Sequence, residues 1–172
     1  MTLTDLFLKR RSTRKFNEKP VTKDELDRIL QSALLAPTSM NRHPCNFMVV
    51  ENKDTLKELS ECKNHGATLI AGADKAIVVV ADTLVADTWI EDSSIALTYM
   101  HLMATELDLG SCWVQVHLRD KNGTDAEEVV KEILKLDPQY RIVGILALGH
   151  SDDIPEPHTL QDIDKSKIHF KV

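Results

Sequence analysis

The chain has 172 residues, 42% of them hydrophobic and 28% charged, enough to bury a sizeable core as one domain without disulfide or metal staples. No apolar run approaches the length a membrane span needs. With 21 Lys and Arg against 27 Asp and Glu, the net charge of −6 argues against a general nucleic-acid or anionic-membrane surface and turns attention to any local basic site.

Such a site stands near the start. Leu3, Leu6, Phe7 and Leu8 follow possible N-caps at Thr2 and Thr4 and predict a short helix. It runs into Arg10-Arg11-Ser12-Thr13-Arg14-Lys15-Phe16, where cations and hydroxyls are concentrated. Composition leaves two readings: a solvated helix end whose cations complement the dipole, or an anion site for which the planar guanidinium fork is suited.

Thr22 and Glu25 form a capping box, and Leu26, Ile29, Leu30, Ala33 and Leu34 carry a helix to about Ala36. Ala36-Pro37-Thr38-Ser39-Met40-Asn41-Arg42-His43-Pro44 reads as a rigid polar loop without glycine. A strand is expected over Asn46 to Val50, then a helix capped by Asn52 with Leu56 and Leu59. Cys62 to Asp74, with Gly66 and Gly72, is ambiguous between a frayed helix and a loop. Ala76 to Ala81 has the continuous β-branched pattern of a central strand buried on both faces. The longest predicted helix spans Asp87 to Leu109, with Trp89, Ala96, Tyr99, Met100, Met103 and Leu107 on one side and Ile95 and Leu102 on another; it is expected to be buried around much of its circumference. Strands follow at Ser111 to Val116 and Arg141 to Leu148. Between them, a box at Thr124 and Glu127 opens a helix with Val129, Val130, Ile133 and Leu134. Residues 151–172 lack periodicity and must wrap over something to be ordered. The economical picture is an α+β sandwich, one sheet flanked by helices.

The start lacks the regions of a signal peptide, and three cysteines, Cys45, Cys62 and Cys112, have no CxxC spacing; a cytoplasmic location with free thiols is expected. Rossmann, P-loop, zinc-hydrolase and serine-hydrolase signatures are all missing, and the seven histidines are scattered without helical pairing, so no metal is expected.

Four stretches together resemble the FMN-dependent nitroreductase family: Arg10 to Phe16, Ala36 to Pro44, Leu109-Gly110-Ser111-Cys112-Trp113, and a late strand ending in Gly149. The resemblance covers almost the whole chain in the family's order and spacing. It implies one FMN-binding domain over 1–172, a mainly antiparallel mixed sheet, and an intertwined homodimer with shared flavin sites. Arg10, Arg11 and Ser12 would hold the FMN phosphate, and Arg14 would lie near the flavin's pyrimidine edge as an electrostatic control. Pro37, Thr38, Ser39 and Asn41 would contact the flavin held mainly by the other subunit, and the 87–109 helix would form the interface. Trp113 would contact the cofactor, and Val114, Gln115 and Val116 would offer backbone and amide groups near the flavin N5 side. NADH or NADPH would reduce the flavin, and a small acceptor such as a nitroaromatic or quinone would then take the electrons in ping-pong order. No side chain is an obvious general acid.

Two departures stand out. His43 occupies the place where many members carry Gln, and Pro155-Glu156-Pro157-His158-Thr159-Leu160 lacks the arginines that usually complete the phosphate clamp, leaving His158, or Lys165 or Lys167, as substitute. Without long insertions the pocket is expected to be open. The weakened tail motivates an alternative, an FMN-binding protein for sensing, storage or a partner's chemistry with little turnover of its own. A basic module for nucleic acid is disfavoured by the acidic total.

Overall fold

The computed structural model describes residues 2–171. Five helices, α1 (Leu3–Lys9), α2 (Lys23–Leu34), α3 (Lys53–Ser60), α4 (Trp89–Glu106) and α5 (Ala126–Leu134), enclose a four-stranded sheet of β1 (Cys45–Val50), β2 (Lys75–Asp82), β3 (Gly110–Gln115) and β6 (Tyr140–Gly149). A small hairpin, β4 (Asp120–Lys121) and β5 (Thr124–Asp125), turns at Asn122 and Gly123, both at positive φ. The sheet order is β1-β2-β6-β3, and all three ladders are antiparallel, in keeping with the mainly antiparallel sheet expected.

The sandwich follows from strand alternation. In β2, Ile77 and Val79 face the layer of α2 and α4, while Ala76, Val78 and Val80 face that of α3, the short turn Thr68–Gly72 and α5. Every residue from Ala76 to Ala81 is at most 2% exposed, which is why the stretch reads as an unbroken apolar run rather than an alternating one. The segment ambiguous between frayed helix and loop, Cys62 to Asp74, is irregular apart from the 3-10 turn Thr68–Gly72 and closes that second layer by burying Cys62, Ala67, Ile70 and Ala73.

Thr2 with Asp5 and Thr22 with Glu25 form capping boxes on α1 and α2, and Asn52 caps α3. The box expected at Thr124 and Glu127 does not form. Asp125 caps α5 by accepting the Glu127 N–H, and the Glu127 side chain turns inward. There its carboxylate accepts from Arg141 Nε (2.7 Å) and Nη2 (2.9 Å), the Ile142 N–H (3.0 Å) and His117 Nδ1–H (2.6 Å). Four donors outcompete one cap. Burial alone would raise this carboxyl's pKa; the hydrogen bonds outweigh it and bring the value down to about 2. The Arg141 guanidinium also lies 4.6 Å from the Trp89 ring centroid, so the network ties α5, β6 and the start of α4 together.

Helix α4 buries residues on several sides, including Asp92, Ser93, His101 and Thr105, yet leaves Ile90 and Tyr99 exposed. Among the described residues the tail beyond Gly149 forms only short 3-10 turns, and Ile154, Leu160, Ile163, Ile168 and Phe170 are all more than half exposed. Among the described residues no helix is long and apolar enough to cross a membrane.

Candidate functional site

The basic stretch is seated on the sheet by backbone. The Thr13 N–H donates to the Ser111 carbonyl at 2.9 Å, and the Asn17 N–H donates to the His150 carbonyl at 2.9 Å. Gly110 and Gly149, register partners across β3 and β6, make the approach possible. A Cβ on Gly110 would stand 2.7 Å from the Thr13 methyl, and one on Gly149 would stand 2.9 Å from the Phe16 ring.

The cations held there divide into two groups. The flanking lysines have acid partners, Lys9 with Asp108 and Lys15 with Asp153 (3.4 Å). Arg10, Arg11 and Arg14 have none: among the described residues no carboxylate lies within ion-pair distance of them. Arg11 donates to the Glu156 carbonyl and Arg14 to the Ser12 carbonyl (3.3 Å). Arg10 donates through Nη1 to His101 Nε2 at 3.2 Å. Since guanidinium can only donate, Nε2 accepts, and the Nδ1–H donates to Ser111 Oγ at 2.5 Å. Burial, with the Arg10 charge beside it, pushes the His101 pKa down to about 4, so the ring is neutral near pH 7. The tail arrives beside this cluster, the His158 N–H donating to the Leu8 carbonyl at 2.8 Å, while the His158 ring lies 3.8 Å from the Asp162 carboxylate.

Next to the arginines lies an open groove of about 700 Å³. Arg14, Lys15 and Phe16 border it on one side, Gly66, Thr68 and Leu69 on the other, and Cys112 and Trp113 also line it. The Trp113 indole N–H donates to Gln115 Oε1 (3.0 Å), and Gln115 Nε2 donates to the His117 carbonyl (3.1 Å). The Gln115 amide is therefore engaged within the chain, and the Val114 side chain, 1% exposed, belongs to the core. Lys63 Nζ donates to the Gln115 carbonyl (2.6 Å), and burial lowers its pKa. Burial pushes the Cys112 thiol up, the opposite of what an activated nucleophile needs.

The polar loop is built differently. Met40, Asn41 and His43 all have positive φ, at 51°, 56° and 50°, a conformation that is uncommon without glycine and held here by tertiary bonds. Asp92, in the first turns of α4 and 2% exposed, accepts from the Ser39 N–H (2.9 Å) and the Thr88 hydroxyl (3.1 Å). Thr38 Oγ1 accepts from the His43 N–H, and His43 Nε2 meets Asn41 Oδ1 at 2.9 Å.

One chain thus carries two groups of expected site residues. Arg10, Arg11, Ser12, Arg14, Trp113 and His158 gather around the basic seat; Pro37, Thr38, Ser39 and Asn41 belong to the loop held by Asp92. Asp92 and His101 are nine residues apart on α4, about 14 Å along its axis. His101 and Asp92 both escaped the sequence reading, although polar residues in a mostly apolar helix were a usable signal; Lys63 left none.

A sheet between two helix layers, with three guanidiniums that have no carboxylate partner among the described residues, is the framework of an α+β protein. The sequence model of the Nitroreductase family matches residues 7–89 and 62–150, and the chain belongs to that family. An FMN-dependent nitroreductase from Clostridium difficile R20291 is 40% identical, with a TM-score of 0.95 over 99% of each chain. A structure from Parabacteroides distasonis, provisionally named an NADH dehydrogenase/NAD(P)H nitroreductase, is 26% identical, with a TM-score of 0.90 over 98% of this chain and 97% of that one. An Archaeoglobus fulgidus protein with the same provisional name is 29% identical over 93% of this chain and 92% of its own length.

Proposed function

We propose that this protein is an FMN-dependent NAD(P)H oxidoreductase, with residues 1–172 forming one nitroreductase-like domain. The observation that carries the reading is the set of guanidiniums at Arg10, Arg11 and Arg14, which have no carboxylate partner among the described residues while the lysines beside them are paired. Such a donor set, with the Ser12 hydroxyl beside it, fits a phosphate monoester by charge and by geometry. The adjoining groove falls within the roughly 300–1,000 Å³ typical of small-molecule sites and offers a half-buried indole as a flat wall.

In this reading Arg10, Arg11 and Ser12 hold the phosphate, with His158 beside them in place of the arginines expected in the tail. Arg14 would lie near the flavin's pyrimidine edge, where reduction places negative charge. When bound, FMN would supply the redox chemistry that links NAD(P)H to a small acceptor such as a nitroaromatic or quinone, in ping-pong order. Trp113 and the backbone of Val114 and Gln115 position and shield the ring. Pro37, Thr38, Ser39 and Asn41 serve the site of the partner subunit in a homodimer. Two features support the dimer: the separation of the two residue groups along α4, and an apolar groove of about 630 Å³ between α1, α2 and α4 lined by Leu3, Leu6, Phe7, Tyr99, Leu102 and Met103. The apolar side chains of the tail would be covered by the partner in the same assembly. A cytoplasmic setting, where reduced nicotinamides are abundant, belongs to the reading.

The test is a flavin spectrum followed by anaerobic titration with NADH and with NADPH, then addition of a quinone or nitroaromatic. Bleaching and reoxidation are expected. A colourless protein that gains no flavin spectrum with added FMN would refute the reading. Retained flavin that neither nicotinamide bleaches would favour the FMN-binding alternative with little turnover of its own.

A further inference from the structure

We propose that His101 is a positioning residue for the phosphate seat, a neutral ring that aims the Arg10 guanidinium without cancelling its charge. The inference rests on the FMN reading above and names a residue outside the motifs that led to it. His101 is 6% exposed on α4, and its two ring nitrogens are both engaged, one by Arg10 and one by Ser111. Ser111 fixes the ring: its hydroxyl takes the Nδ1–H, which leaves the Nε2 lone pair facing the guanidinium. The same residue's carbonyl takes the Thr13 N–H, so one strand residue sets both the ring and the backbone of the basic stretch.

The choice of imidazole has a physical reason. An Asp or Glu at position 101 would orient Arg10 equally well but would pair with it and compete with the phosphate. An apolar residue would leave the charge free but unaimed. A buried imidazole, kept neutral by its surroundings, accepts one hydrogen bond and leaves the other guanidinium N–H groups and the full positive charge for an anion.

The experiment compares FMN with riboflavin, which lacks the phosphate, binding to flavin-stripped full-length protein by fluorescence. Arg10→Ala should collapse the preference for FMN. His101→Leu should lower that preference by about tenfold, the effect of one charge-assisted hydrogen bond, while leaving riboflavin affinity within about twofold. His101→Gln, which keeps an acceptor, should retain most of the preference, and His101→Glu should lose more of it than Leu does. The double variant Arg10→Ala with His101→Leu should be no weaker for FMN than Arg10→Ala alone. Should the Leu variant fail to fold, Ser111→Ala gives the same readout through loss of the ring's anchor. Equal losses for FMN and riboflavin, or additive losses in the double variant, would overturn the proposal by reducing His101 to a packing role. If Arg10→Ala itself left the preference intact, the phosphate seat and this inference with it would both be wrong; loss in Arg10→Ala with none in the His101 and Ser111 variants would overturn the inference alone.

Discussion

Glu127→Gln tests whether a buried carboxylate acts through its charge. Four donors converge on this side chain, which is 1% exposed, and Gln preserves its volume while removing the charge. The pKa falls from 4.5 to about 2 on folding, which corresponds to a ceiling of about 3 kcal/mol. Arg141, its main partner, has a side chain 36% exposed, and solvent screening there lowers the expected contribution to about 2 kcal/mol. For a chain of this length that is a fall in Tm of about 4–8 °C near pH 7. Because the folded pKa lies below the unfolded one, the stabilisation is complete above about pH 4.5 and is lost as pH falls toward 2. Denaturation of both proteins at fixed protein and FMN concentrations, at pH 7, 5, 4 and 3, should therefore show a gap that narrows below pH 4.5. A gap as large at pH 3 as at pH 7 would refute the electrostatic account.

Arg10→Ala should chiefly weaken FMN retention, whereas Arg14→Ala should also lower the flavin's reduction potential; potentiometric titration of both variants separates the roles, and equal effects on retention alone would end the division. Gly110→Ala should weaken FMN binding and destabilise the fold by about 1–3 kcal/mol, because the new Cβ meets the Thr13 methyl at 2.7 Å; thermal melts and FMN titration read both effects. Asp92→Leu removes the acceptor of the Ser39 N–H, and raised hydrogen exchange confined to 38–43 and the start of α4 is the expected mark of a loosened loop.

Much of this architecture is written locally. The Thr22 and Glu25 box, the Asn52 cap and the unbroken run of β2 are each decided within a few residues, and each stands where periodicity places it. The reading failed where a distant partner outweighed a near one. Glu127 has a capping pattern in sequence, but Arg141 and Ile142 arrive from β6 and Asp125 is already a good cap. The positive φ angles at Met40, Asn41 and His43 carry no glycine to announce them, since the loop is held by Asp92, which is remote in the chain. The basic seat was legible as charge but not as geometry. Nothing local tells that Thr13 and Phe16 rest on Gly110 and Gly149, or that Arg10 meets a histidine 91 positions away.

Asp92 and His101 are separated by two and a half helical turns, so they project to nearly opposite sides of α4. The missing apolar stripe of this helix then has a reason: it is a spacer with a different job on each side. One added or deleted residue between them would swing one end by about 100° relative to the other, breaking either the grip on Ser39 or the support of Arg10. Relatives that keep both contacts should vary in residue type at exposed or half-exposed positions such as Ser94 and Thr98, keep apolar residues at the buried Ala96, Leu97 and Met100, and hardly change in the number of residues.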